Sequence, residues 1–187
     1  MTQVQPTGRP SPRLRQSIGD MVRSLAVVLV VVAGVLLLAW RPQPDPVRVV
    51  EVTPAVTRAT MQATFDVVAP SGLPDGWRPT SARWEPTEDS GAEPVLHIGY
   101  VTPADQYAQF SLSASDAPAY LDEQTGGGRG DGLMAVGGVE WQAWETPERR
   151  SLVRVDDGVT TVVSGGAAWE ELVVLAGSLQ PVPALEP

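Results

Sequence analysis

Apolar and polar positions follow three different rhythms along this chain. Residues 25–40 carry no charge, and no polar position recurs there at the 3.6-residue spacing of a half-buried helix. Counted from Met21 the run is twenty residues. At about 1.5 Å per residue such a helix covers the roughly 30 Å of a bilayer's hydrocarbon core. Arg23 in its first turn can carry its guanidinium back to the headgroups, and Trp40 suits the opposite interface. The pattern therefore predicts a transmembrane helix over 21–40. A cleaved signal peptide shares the basic start and apolar run, but cleavage needs small residues after that run, and Leu36, Leu37 and Leu38 are bulky. The expectation is an uncleaved signal anchor.

From Thr64 the period becomes two. Phe65, Val67 and Ala69 share one face of a strand over 64–69, and Leu73-Pro-Asp-Gly76 turns the chain after it. Strands follow over 78–84, 95–101 and 107–114; in the last, Ala108, Phe110, Leu112 and Ala114 point inward against Tyr107, Gln109, Ser111 and Ser113. Residues 116–124 carry one or two helical turns. A second meander runs over 139–145, 150–155 and 159–164, its last turn made by Asp156-Asp-Gly158. Beyond Gly165-Gly166, Trp169, Leu172, Val173, Ala176 and Leu179 form one helical stripe, with Glu170 and Glu171 placed to complement the helix dipole. The fold class expected is α+β: an antiparallel sheet of six or seven strands with helices, the C-terminal one above all, on one face. A small all-β sandwich with one terminal helix is the rival.

The remaining segments divide the chain. Residues 1–20 are polar and arginine-bearing, with too few apolar side chains to offset the entropy of ordering them, so a disordered cytoplasmic tail is expected there. Residues 41–63 begin with Arg41-Pro-Gln-Pro-Asp-Pro46, a proline-rich stalk, followed by a short helix over 54–63 that Thr53 would cap. The extracytoplasmic domain then occupies 64–180, and 181–187 is a disordered tail.

Charge sets the orientation. Arg9, Arg13, Arg15 and Arg23 stand before the span against Asp20 alone, whereas from Pro42 onward eight arginines meet twenty-one acids, a balance of −13. The positive-inside rule puts the N-terminus in the cytoplasm and the large acidic part outside the cell membrane. That acidity argues against nucleic acid or an anionic surface as a partner. The chain has no cysteine, lysine or asparagine. Disulfides, a lipoprotein anchor, thiol and Schiff-base chemistry and N-glycosylation are thereby excluded.

Candidate chemistry is sparse. His97 is the only histidine, on a strand face away from Leu96 and Ile98, where a solvated or half-buried position is expected. Without a second ligand it makes no zinc site, and no G-x-S-x-G elbow places a serine for it. The Gly126–Gly132 run, containing Arg129-Gly-Asp131, lacks the lysine and spacing of a phosphate loop, and a flexible surface loop between Gln124 and Val136 is expected. Glu140, Glu145, Glu148, Arg149, Arg150 and Arg154 read as outward ion pairs. No catalytic residue, cofactor or metal is expected. The ligand-site candidates are Trp77, Trp84, Trp141, Trp144 and Trp169, lining a cleft between sheet and terminal helix open to an acyl chain or peptide. Core packing is the ordinary explanation of four of them, and Trp144 lies on the opposite face.

Two motifs, Ser17-Ile-Gly-Asp-Met-Val-Arg-Ser24 and Leu73-Pro-Asp-Gly-Trp-Arg-Pro-Thr-Ser-Ala-Arg83, resemble the actinobacterial membrane-anchored family known as domain of unknown function 4245. The resemblance covers almost the whole chain and implies topology only, since the family has no established activity. A looser likeness, through Leu73-Pro74-x-Gly76, Val136-Gly-Gly-Val-Glu140, Leu152-Val-Arg-Val-Asp-Asp-Gly158 and Trp169-Glu-Glu-Leu172, is to extracytoplasmic domains associated with anti-sigma factors and to lipoprotein-carrier-like half-barrels. A tail of about twenty residues is too short for the cytoplasmic domain of an anti-sigma factor. The function expected is a non-enzymatic, single-pass anchored domain that binds an envelope protein or a lipid ligand. The alternatives are a cell-envelope hydrolase, which needs polar groups converging on His97, and a structural subunit of a membrane complex, which needs an exposed apolar patch around Trp144.

Overall fold

The computed structural model describes residues 13–39, 47–86, 93–115 and 117–183, in two units, Met1–Pro46 and Val47–Pro187. The expected tail through Pro12, the stalk over 41–46 and the tail beyond Pro183 lie outside the described residues. In the first unit α1 (Arg13–Ala39) is one helix of 27 residues, beginning at Arg13 rather than at Met21. Side chains are described on it for 21–35, and all of these are exposed. Among the described residues no helix is long and apolar enough to cross a membrane.

The second unit opens with α2 (Thr53–Gln62), whose N-cap is Val52 and not the expected Thr53. Pro54 sits in the first turn, where a missing N–H costs nothing. Strands β2 (Arg78–Glu85), β3 (Val95–Val101) and β4 (Tyr107–Ser113) form one antiparallel meander. Strands β5 (Arg129–Val136), β6 (Val139–Glu145), β7 (Arg150–Asp156) and β8 (Val159–Gly165) form another. Pairing of β4 with β8 joins them into one seven-stranded sheet of order β2-β3-β4-β8-β7-β6-β5. The fold is thus α+β on an antiparallel sheet, as the alternation of side chains requires.

Register explains the main core. Ala82, Ile98, Phe110, Val163, Leu152 and Ala143 are cross-strand partners in one continuous row. This face packs against Ala55 and Ala59 of α2 and against Leu172, Leu175 and Ala176 of α4 (Trp169–Gly177). Each large side chain buried here contributes about 1.5–3 kcal/mol. Leu175, outside the expected stripe, is fully buried.

Three expectations are corrected. The sheet is covered on both faces: α3 (Pro118–Thr125) packs on the side opposite α2 and α4, with Tyr120 joining Val153 and Val162 in a second cluster. Ser111 and Ser113, expected to face solvent, are therefore buried. The segment expected as a loop before Val136 is strand β5, and only 126–128 connects it to α3. The expected strand over 64–69 shrinks to β1 (Val68–Pro70), which pairs outside the main sheet with β9 (Leu179–Pro181) in a two-stranded ribbon.

Candidate functional site

The ends of these elements enclose an open groove of about 1090 Å³. Its floor is the lower part of the core: Leu112 of β4, Trp141 of β6, Val159 and Thr161 of β8. One wall is the irregular segment from Ala63 to Val67 between α2 and β1, and the other is the β5–β6 turn with Val136 and Gly137. Ala176 at the end of α4 and Leu179 of β9 close one end, and the β7–β8 hairpin carries Arg154, Asp156 and Asp157 to the rim. That hairpin turns through Asp157 at φ 48° and Gly158 at φ 78°, the two left-handed positions that an Asp-Gly pair tolerates in a type I′ turn. Arg154 is paired with Asp156. Asp66 and Asp157, both exposed, have no ion pair among the described residues. A second cavity of about 540 Å³ adjoins it, between α2 and the β1–β9 ribbon.

Only one of the five tryptophans lines this groove. Trp141 is buried and forms part of the floor. Trp77 packs edge-on against Tyr100, the ring centres 5.9 Å apart. Trp84 donates its Nε1–H to Oε1 of Gln62 at 2.7 Å and ties β2 to α2. Trp169 packs half-buried on the main core. Trp144 lies on the opposite face against the second cluster, its ring resting where a Cβ on Gly130 would be 2.8 Å from Nε1. The groove is not the expected tryptophan-lined cleft between sheet and C-terminal helix: α4 contributes only Ala176 and Gly177 at one end, and the walls come mostly from residues that sequence reading passed over. Their one signal was the Asp-Gly hairpin, read only as a turn.

The α3 face holds polar groups, buried or half-buried. His97, expected at a solvated or half-buried position, is buried at 8% exposure. Gln109 Nε2 donates to Oε1 of Gln124 at 2.9 Å and lies 3.4 Å from His97 Nδ1, and the Tyr120 hydroxyl donates to Ser111 Oγ at 3.2 Å. Desolvation holds the His97 imidazole below its usual 6.5; Glu85 and Glu123 pull it up and Arg83 pushes it down. Burial raises Tyr100 and Tyr120 to about 12. Ser151 Oγ and Thr160 Oγ1 are buried on this side without a partner. The Arg149 guanidinium donates to the carbonyls of Glu123 and Gln124 and so satisfies the exposed end of α3. These contacts fasten a helix to a sheet: Ser111, the cross-strand partner of His97, accepts from Tyr120, and among the described residues no serine is hydrogen-bonded to His97. Among the described residues no group of three His, Asp or Glu side chains is placed to hold a metal.

A family model described as "Protein of unknown function (DUF4245)" matches residues 13–179. The chain belongs to this family. In this DUF4245 protein the polar α3 interface and the groove lining, apart from Pro181 and Val182, fall within the matched region. No curated protein matches the chain. A solved structure, the MucA/MucB complex of Pseudomonas aeruginosa, is similar over 64% of this chain at 15% identity and a TM-score of 0.38, and the chain spans 37% of the matched chain's length.

Proposed function

We propose that this DUF4245 protein is a single-pass, N-terminus-inside membrane protein whose acidic unit stands outside the membrane and binds an apolar ligand or an envelope protein, without catalysing a reaction. The observation that carries the binding role is the groove of about 1090 Å³ at one end of the sheet, where the half-buried Phe65 and Val159 and the exposed Val139 line an open space above the buried Leu112 and Trp141. A fold that only needed stability would close such a gap, since unfilled apolar surface costs free energy. The anchor is supported by the charge-free run after Ser24 and by the exposure of every described side chain on α1. Orientation is supported by the arginines before the span and the −13 balance after it.

The test is site-specific photocrosslinking in the intact chain in its native membrane, with benzoylphenylalanine at Val139, which lines the groove and is 38% exposed. A discrete adduct, lipid or protein, that disappears when the probe is moved to Tyr107, 43% exposed and outside the groove, is the expected result. Recovery of unmodified chain alone would overturn the binding role.

A further inference from the structure

We infer that the groove's occupant is an extended peptide segment of a partner protein carrying a basic side chain between apolar ones. This rests on the reading of the groove as the binding site and narrows its ligand to one class. Three observations separate a peptide from an acyl chain. First, among the described residues Thr64, Phe65 and Asp66, which form one wall, make no backbone hydrogen bond. A polypeptide laid along them can use those donors and acceptors by strand addition, and a hydrocarbon cannot.

Second, the groove presents carboxylates on one wall and on the rim. Asp66 on the connector and Asp157 on the hairpin carry no counter-ion, while the neighbouring Arg154 is already committed to Asp156. A basic side chain reaching between them gains from both. The −13 balance of the chain beyond Pro42 steers cationic segments inward and repels the phosphate headgroup that an acyl ligand brings. Third, the groove is open rather than enclosed and its lining is mixed, with Thr60, Thr64, Asp66, Arg154 and Asp156 set among the apolar residues, which suits a peptide better than a hydrocarbon chain. Phe65, Val139 and Val159, all at least partly exposed, supply apolar surface for side chains flanking the basic one.

The experiment is selection of a random twelve-residue peptide library displayed on phage against the full chain in phosphatidylcholine nanodiscs, with three receptors in parallel. These are the wild type, the double variant Asp66→Asn/Asp157→Asn and the groove-filling Val139→Trp. Both aspartates are exposed, and asparagine tolerates the left-handed backbone of position 157, so the double variant retains the fold. Wild-type selection is expected to enrich peptides with an arginine or lysine between apolar residues. A synthetic copy of an enriched peptide should bind the Asn variant about fivefold or more weakly, weaken with rising salt, and fail to bind Val139→Trp. No enrichment, or binding indifferent to both variants, would overturn the inference. A lipid adduct at Val139 together with failed peptide selection would remove the peptide while leaving the groove as a binding site.

Discussion

His97 shows how a single side chain acquires its chemistry from what covers it. Its sequence neighbours place it on the face away from the main core, and α3 then buries that face. Desolvation, opposed in part by Glu85 and Glu123 and reinforced by Arg83, keeps the ring neutral in the folded protein to a lower pH than in the unfolded chain. Below about 6.5 the unfolded state therefore binds more protons, so stability falls as pH drops through that value and is unaffected above it. Thermal midpoints measured between pH 7.5 and 5.5 should fall more steeply for the wild type than for His97→Gln, which keeps a polar group for Gln109. Equal slopes would place the imidazole in solvent.

At the scale of elements, α3 is a short helix held by its ends and by polar contacts. Gly126 closes it at φ 70°, with its N–H on the Asp122 carbonyl. A Cβ there would make only ordinary contact with Arg149, so Gly126→Ala isolates the left-handed backbone cost of about 1–2 kcal/mol. Urea denaturation should show that loss at an unchanged m-value. The strands of both meanders except β5 were legible because apolar residues at every second position leave one rhythm in the sequence. The covering of the second face was not. Ser111, Ser113, Ser151 and Ser164 occupy it, and small polar side chains that let a helix approach closely have the same composition as a surface. β5 was missed because Gly130 and Gly132 interrupt its alternation. The groove was missed because its walls arrive from α2, β1, β5, β6, β8 and β9, and no local window contains them.

For the whole molecule, the decisive matter is which side of a membrane each unit occupies. With the N-terminus inside, an alkaline phosphatase fused after Pro187 should be active on cells, and a β-galactosidase fused at the same place inactive. The chain should also stay in the membrane fraction through alkaline carbonate extraction. The opposite pair of activities would reverse the orientation, and release by carbonate would refute the span.

The β1–β9 ribbon carries a consequence for timing. It pairs Val68 with Pro181 and Pro70 with Leu179, and the Val182 N–H then donates to the Val67 carbonyl. The first described strand of the unit thus finds its partner more than a hundred residues further along. That pairing closes a long loop and cannot begin before β9 has been made. The unit completes its fold only after β9 has left the ribosome. One wall of the groove is the segment just before β1, so the groove too takes its shape only once β9 is in place.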